Sequence, residues 1–211
     1  MKFEPTKESI EKHEVPQWYK YAKFGIFIHW GLFSVPAWAR AEGKNLAELS
    51  EEGDGFANSM FNSPYAEWYL NTSRIKGSPT NIHHKETYGE DFNYFNFQKD
   101  FEERNQSMNA GEWADFFKEA GAKYVVLVTK HHDGYCLWPS EYKNPKMEGY
   151  QSKRDLVGEI TDAVRARGMK MGLYYSGIFD WTFKDYPIDG MKNWVNHHLV
   201  TDEYSQYAWN Q

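Results

Sequence analysis

A pattern that occurs twice in the second half of the chain restricts its fold more than any other feature. Asn109 stands before Ala110-Gly111-Glu112, a capping-box arrangement with the acid three positions on. Trp113, Phe116, Phe117 and Ala120 follow at helical spacing, and Gly121 supplies a left-handed C-terminal turn. Lys123 to Thr129 is then an apolar, β-branched run, which predicts a buried strand. The order recurs. Asp155 caps a helix carrying Leu156, Val157, Ile160, Ala163 and Val164, Gly168 closes it, and Met169 to Tyr175 reads as another buried strand. Helix, glycine and strand in repeated succession mark βαβ units around a parallel sheet. An earlier strand is expected at residues 24–28, where the apolar run calls for burial on both faces.

Such a sheet needs a core. Hydrophobic residues make up 41% of the 211 residues and aromatics 18%, so the core leans on rings. No stretch approaches the apolar length of a membrane span. The start, Met1-Lys2-Phe3-Glu4-Pro5, lacks the apolar region of a secretory signal, so a cytoplasmic location is expected. A single cysteine, Cys136, excludes internal disulfides and zinc-finger patterns. A formal charge of −6 without a basic run argues against a nucleic-acid partner.

The chain reads as one domain over residues 1–211, with a lead at 1–17 and a solvated, Glu- and Gly-rich insertion at 42–58. Helix is expected around Tyr65–Asn71. Residues 73–101 read as a long loop, whose aromatics (Tyr88, Phe92, Tyr94, Phe95, Phe97) argue for packing. Asn71-Thr72-Ser73 and Asn105-Gln106-Ser107 match glycosylation sequons and read as fortuitous.

In parallel α/β folds reactive groups collect where the strands run out. Here the strand ends give His29-Trp30-Gly31, Lys130-His131-His132-Asp133-Gly134, and Tyr174-Tyr175-Ser176-Gly177 followed by Phe179-Asp180-Trp181. Aromatic plates beside neutral hydrogen-bonding groups suit a sugar ring. Glycoside hydrolysis would need two carboxylates across the scissile bond, and Glu67, Asp133 and Asp180 are the candidates. Of these, Asp133 also fits a turn and Asp180 a loop-orienting role. The pairs His83-His84, His131-His132 and His197-His198 invite a metal. Adjacent strand residues point to opposite faces, however, and no HExxH spacing occurs, so no metal and no cofactor are expected.

The run Trp18-Tyr19 … Lys23-Phe24-Gly25-Ile26-Phe27-Ile28-His29-Trp30-Gly31 … Ser34-Val35-Pro36 resembles the start of the catalytic domain of α-L-fucosidases of glycoside hydrolase family 29. So do Glu67-Trp68-Tyr69, Tyr88-Gly89-Glu90-Asp91-Phe92, Lys130 to Ser140, Lys153 to Glu159, and Gly172 to Gly177. The resemblance runs from about Trp18 onward. It implies a (β/α)8-like barrel and a retaining exo-glycosidase that removes terminal α-L-fucose without a metal. By motif match His29, Glu67, Trp68, His131 and His132 would bind the sugar. One of Tyr174 and Tyr175 would join them, with Tyr174 favoured because strand alternation turns only one inward. The family's nucleophile, an Asp in a Trp-x-Asp motif after the fourth strand, and its acid/base are expected beyond Gln211.

Counting leads the same way. A full barrel takes about 250 residues, and residues 177–211 contain no convincing strand. The expectation is therefore an α/β fold forming a partial (β/α)8 TIM-like barrel, roughly its first three βα units, C-terminally truncated. Open strand edges would make it self-associate or depend on a complementing half-barrel. Two functions follow: a fucosidase acting on a fucosylated glycan or fucoside, in which Glu67 and Asp180 are the carboxylates to test, or a catalytically inactive fucose-binding fragment.

Overall fold

The apolar run at the centre of the sequence is also the centre of the sheet. The computed structural model of the chain describes residues 3–41, 43–199 and 201–211; Met1 and Lys2 of the lead, Glu42 of the insertion, and Val200 lie outside them. Strands β1 (Gly25–Ile28), β2 (Tyr124–Lys130) and β3 (Lys170–Tyr175) form a parallel sheet in the order β1-β2-β3. Gly25 pairs with Tyr124, and Tyr124 with Lys170. The register slips between Val128 and Lys130, so Lys130 rather than Thr129 meets Tyr175.

The helices among the described residues are, in chain order, α1 (Lys7–Ile10), α2 (Gln17–Ala22), α3 (Leu46–Ser50), α4 (Phe56–Phe61), α5 (Tyr69–Arg74), α6 (Pro79–Tyr88), α7 (Phe97–Asn105), α8 (Ala110–Glu119), α9 (Leu156–Ala166), α10 (Met191–His198) and α11 (Asp202–Asn210). The α8–β2 and α9–β3 units reproduce the repeated pattern. Asn109 Oδ1 accepts the Gly111 and Glu112 amides, and Asp155 Oδ1 accepts the Gly158 amide at 2.8 Å. The Asn109 box is not reciprocal, because the Glu112 carboxylate receives the Asn109 side-chain amide instead of a backbone N–H. Ala114 and Phe117 are the buried residues of α8, and Phe116 turns outward at 67% exposure.

One face of the sheet carries Ile26, Ile28, Val125, Leu127 and Met171 into the main apolar cluster, together with Leu156, Ile160 and Val164 of α9. The other face carries Phe27, Val126 and Tyr174. This corrects the expectation for β1. It is not buried on both faces, since Phe27 is 52% exposed while Ile26 and Ile28 on the opposite side pack against the main cluster.

Residues 73–101 are likewise not a loop. They fold into α6, a 3₁₀ turn at Tyr94–Asn96 and the first half of α7. The foreseen aromatics supply the packing: Phe97 is fully buried, with Tyr88 and Phe92 at 4.8 Å and 5.0 Å between ring centroids. The 43–58 stretch is mostly exposed but carries α3 and the start of α4, with Leu49 buried. Around Tyr65–Asn71 the chain makes a 3₁₀ turn, Ala66–Trp68, that runs directly into α5. The sequon asparagines Asn71 and Asn105 are 1% and 4% exposed, so neither presents its amide to solvent. No described helix is long and apolar enough to cross a membrane.

Candidate functional site

Parallel pairing carries all three strand ends to the same end of the sheet, and several of their polar residues meet there. The His29 ring lies 5.7 Å from that of His131, and His131 and His132 are 4.1 Å apart. His29 also touches Phe27 at 4.8 Å, and Phe27 meets Tyr174 at 5.8 Å. Tyr174 thus shares the Phe27 side of the sheet. Tyr175 turns away, its ring 5.1 Å from Lys130 Nζ and its hydroxyl buried.

Glu67 and Trp68 arrive from the 3₁₀ turn before α5. The Trp68 ring meets His132 at 5.5 Å and Trp181 at 5.3 Å, both edge-on, and lies parallel to Trp194 at 6.4 Å. Trp194, on α10, and Trp181 were not assigned roles by their sequence. Trp181 follows a strand end and was open to notice, whereas Trp194 lies in a polar, aromatic stretch with no such signal. The structure therefore links His29, His131, His132 and Trp68 through successive ring contacts, with Glu67 preceding Trp68 in the chain and Tyr174 across Phe27.

Underneath lies a layer of buried charge. Lys130, whose side chain is 0% exposed, donates from Nζ to Asp180 Oδ2 at 3.0 Å. Asp180 Oδ1 accepts the Thr182 amide at 3.0 Å and the Thr182 hydroxyl. Both of its oxygens are occupied away from solvent, so Asp180 orients its loop and is not presented to a substrate. Asp133 is also buried; Oδ2 accepts the Tyr94 hydroxyl at 2.8 Å and Oδ1 the Tyr135 amide at 3.3 Å. Burial raises its pKa to about 6 against the opposing pull of these bonds and of Lys130. The turn expected at Asp133-Gly134 is present, with the Gly134 amide donating to the His131 carbonyl at 3.1 Å. Gly134 has φ +83°, and a Cβ there would lie 2.6 Å from Asp180 Oδ1.

Desolvation keeps the two adjacent histidines neutral. Burial, then neighbouring His132, His29 and Lys130, lower His131 to about 2. Burial and Lys130, then His29, lower His132 to about 3. The Ser176 hydroxyl holds His132 Nδ1, and the His132 carbonyl accepts the Trp181 amide at 2.7 Å. His29, Glu67 and His131 make no side-chain hydrogen bond to a described residue.

The other histidine pairs separate. His84 is engaged by the Tyr69 hydroxyl and the Phe92 carbonyl, while His83 stacks on Trp38 at 4.2 Å. His197 meets the Tyr186 carbonyl and His198 that of Trp194. Among the described residues no three His, Cys, Asp or Glu side chains cluster as metal ligands.

Compared with known proteins, residues 1–211 match the α-L-fucosidase family model. The α-L-fucosidase of Dictyostelium discoideum is 39% identical over 181 residues, covering 84% of this chain and 34% of that protein. The plasma α-L-fucosidase of Homo sapiens is 39% identical over 185 residues, covering 85% and 33%. The crystal structure of Thermotoga maritima α-fucosidase in complex with fucose superposes with a TM-score of 0.81 at 44% identity, over 99% of this chain and 45% of that one. An α-L-fucosynthase from the same organism gives 0.86 at 45% identity, over 99% and 46%. The chain spans about a third of the length of these curated relatives and just under half of the solved chains.

Proposed function

The chain belongs to the α-L-fucosidase family, and we propose that its strand-end face is the sugar-binding wall of a retaining α-L-fucosidase barrel. The observation that carries this is the unspent hydrogen-bonding capacity of His29 and His131, which adjoin each other and His132, whose ring meets the Trp68 plate. A fucose ring stacks its apolar face on Trp68 while its hydroxyls take up these groups and Tyr174. His131 and His132 are neutral at any working pH, which suits recognition of uncharged hydroxyls. The Thermotoga relatives, solved with fucose and with α-L-Fuc-(1-2)-β-L-Fuc-N3, support a fucoside as the ligand class.

Retaining hydrolysis needs a nucleophile and an acid/base about 5–5.5 Å apart. Asp133 and Asp180 are buried and already bonded, which leaves Glu67 as the one carboxylate of the three candidates without such bonds. We therefore assign residues 1–211 to substrate binding, with the nucleophile and acid/base outside them. The test is paired: calorimetric titration with L-fucose, and nitrophenol release from 4-nitrophenyl α-L-fucoside. Binding without turnover is the expected result. Turnover lost in Glu67→Ala would refute the assignment of chemistry, and absence of binding would refute the sugar wall. The second reading, an inactive fucose-binding fragment, is favoured by the same satisfied carboxylates. Activity restored by adding a complementing half-barrel would separate the two.

A further inference from the structure

Trp68, His132 and Trp181 form a closed triangle of ring contacts, at 5.5 Å, 5.3 Å and 5.3 Å. The three come from separate stretches of chain, so their spacing depends on what holds the 179–188 segment against the start of α5. Two side chains of α5 do so. Asn71, 1% exposed, accepts the Ile188 amide at Oδ1 (2.7 Å) and donates from Nδ2 to the Ile188 carbonyl (3.0 Å). One side chain thereby imitates the two-point pairing of a β-ladder. Arg74 Nη1 donates to the carbonyls of Trp181 (3.2 Å) and Lys184 (3.1 Å).

Trp181 is gripped from both sides. Its carbonyl takes Arg74, and its amide donates to the His132 carbonyl at 2.7 Å. Ile188, at the far end of the segment, is fully buried with Met60, Ile75 and Phe179. We propose that Asn71 and Arg74 are positioning residues for the sugar-binding face: they set Trp68 against His132 by clamping the segment that carries Trp181. The proposal rests on reading the strand-end face as a fucose site and extends it by naming what fixes its shape. α5 suits the task because Trp68 immediately precedes it, so any shift of the helix relative to the segment changes the Trp68–Trp181 contact directly.

The test titrates L-fucose into the parent chain and into Arg74→Met, Arg74→Lys and Asn71→Asp, with near-ultraviolet circular dichroism and thermal melting recorded on each. Arg74→Met and Asn71→Asp should weaken L-fucose about tenfold and alter the tryptophan dichroism, since each strips a charged or buried group of its partner. Arg74→Lys keeps the charge but reaches one carbonyl, and should lose about threefold. Ile75→Val trims the adjacent apolar cluster and should lower the melting temperature with affinity and dichroism intact, which separates positioning from stability. Parental affinity and dichroism in Arg74→Lys and Asn71→Asp would overturn the proposal, whether or not Arg74→Met folds. Should the parent fail to bind L-fucose, the sugar-site reading falls, and the dichroism alone decides the clamp: altered in the variants it stands, unaltered it fails.

Discussion

The ends of β1 and β2 contribute histidines to one site and are built in opposite ways. His29 is exposed, touches Phe27 and His131, and has no side-chain hydrogen bond to a described residue. His131, by contrast, is 5% exposed and sits over a fully buried Lys130 and an Asp133 that is 2% exposed. The buried end is a preset surface whose charge state is fixed by desolvation; the open end keeps its ring free to adjust to a ligand. In the proposed site a rigid wall therefore stands beside one compliant contact.

Replacing Lys130 by Met should damage the rigid end most. It strands the Asp180 carboxylate without its cation, a loss on the order of 3–5 kcal/mol measurable by urea denaturation. The double variant Lys130→Met, Asp180→Asn should recover part of that loss, because removal of both charges leaves none unpaired. An unchanged midpoint in the single variant would break the contrast between the two ends.

Acid gives the next largest effect. Histidines in the unfolded chain take up protons at about pH 6.5, whereas His131 and His132 are held down to about 2 and about 3 in the fold. Between about pH 6 and 4 the unfolded state thus binds two protons that the native site refuses. Asp133 opposes them: raised to about 6 when folded, it keeps a proton that the unfolded chain releases. One net proton favours unfolding, so stability from this cluster should fall by roughly 1 kcal/mol per pH unit as pH drops. His132→Gln removes one of the two histidine contributions, and the cluster's slope in that window should vanish. Denaturation curves at three pH values check both.

Gly134→Ala should cost about 2 kcal/mol, from a positive φ and a methyl driven into Asp180. At the open end, His29→Ala should change stability by less than about 0.5 kcal/mol and still weaken L-fucose about tenfold. A large stability loss in this variant would show the two ends to be alike after all.

Much of this architecture was legible in the residues. Asn109 and Asp155 announce their helices through short polar side chains placed ahead of apolar spacing, and the structure uses both as caps. β2 and β3 begin one residue later than their apolar runs. The helices of 73–101 are harder to read because α6 buries Thr80 and His84 rather than an apolar stripe, and α7 buries only Phe97, Phe101 and Asn105. Ser78-Pro79, a cap followed by a first-turn proline, was the available signal for α6. Burial was the harder quantity. Asp133-Gly134 reads as a surface turn, but partners distant in the chain, Tyr94 39 residues earlier and Asp180 later, make it an interior one. The Asn71 and Arg74 contacts span more than 100 residues of chain, beyond the reach of any local pattern.

The strand order has a kinetic side. β2 is hydrogen-bonded along both edges, while β1 meets the sheet through four residue pairs on one side. Amide exchange should therefore be slowest in Val125–Val128 and faster in Ile26–Ile28. Transient openings would release the strand that carries His29 while the one that carries His131 and His132 stays closed. The site would lose one wall and recover it many times within the lifetime of a single folded molecule.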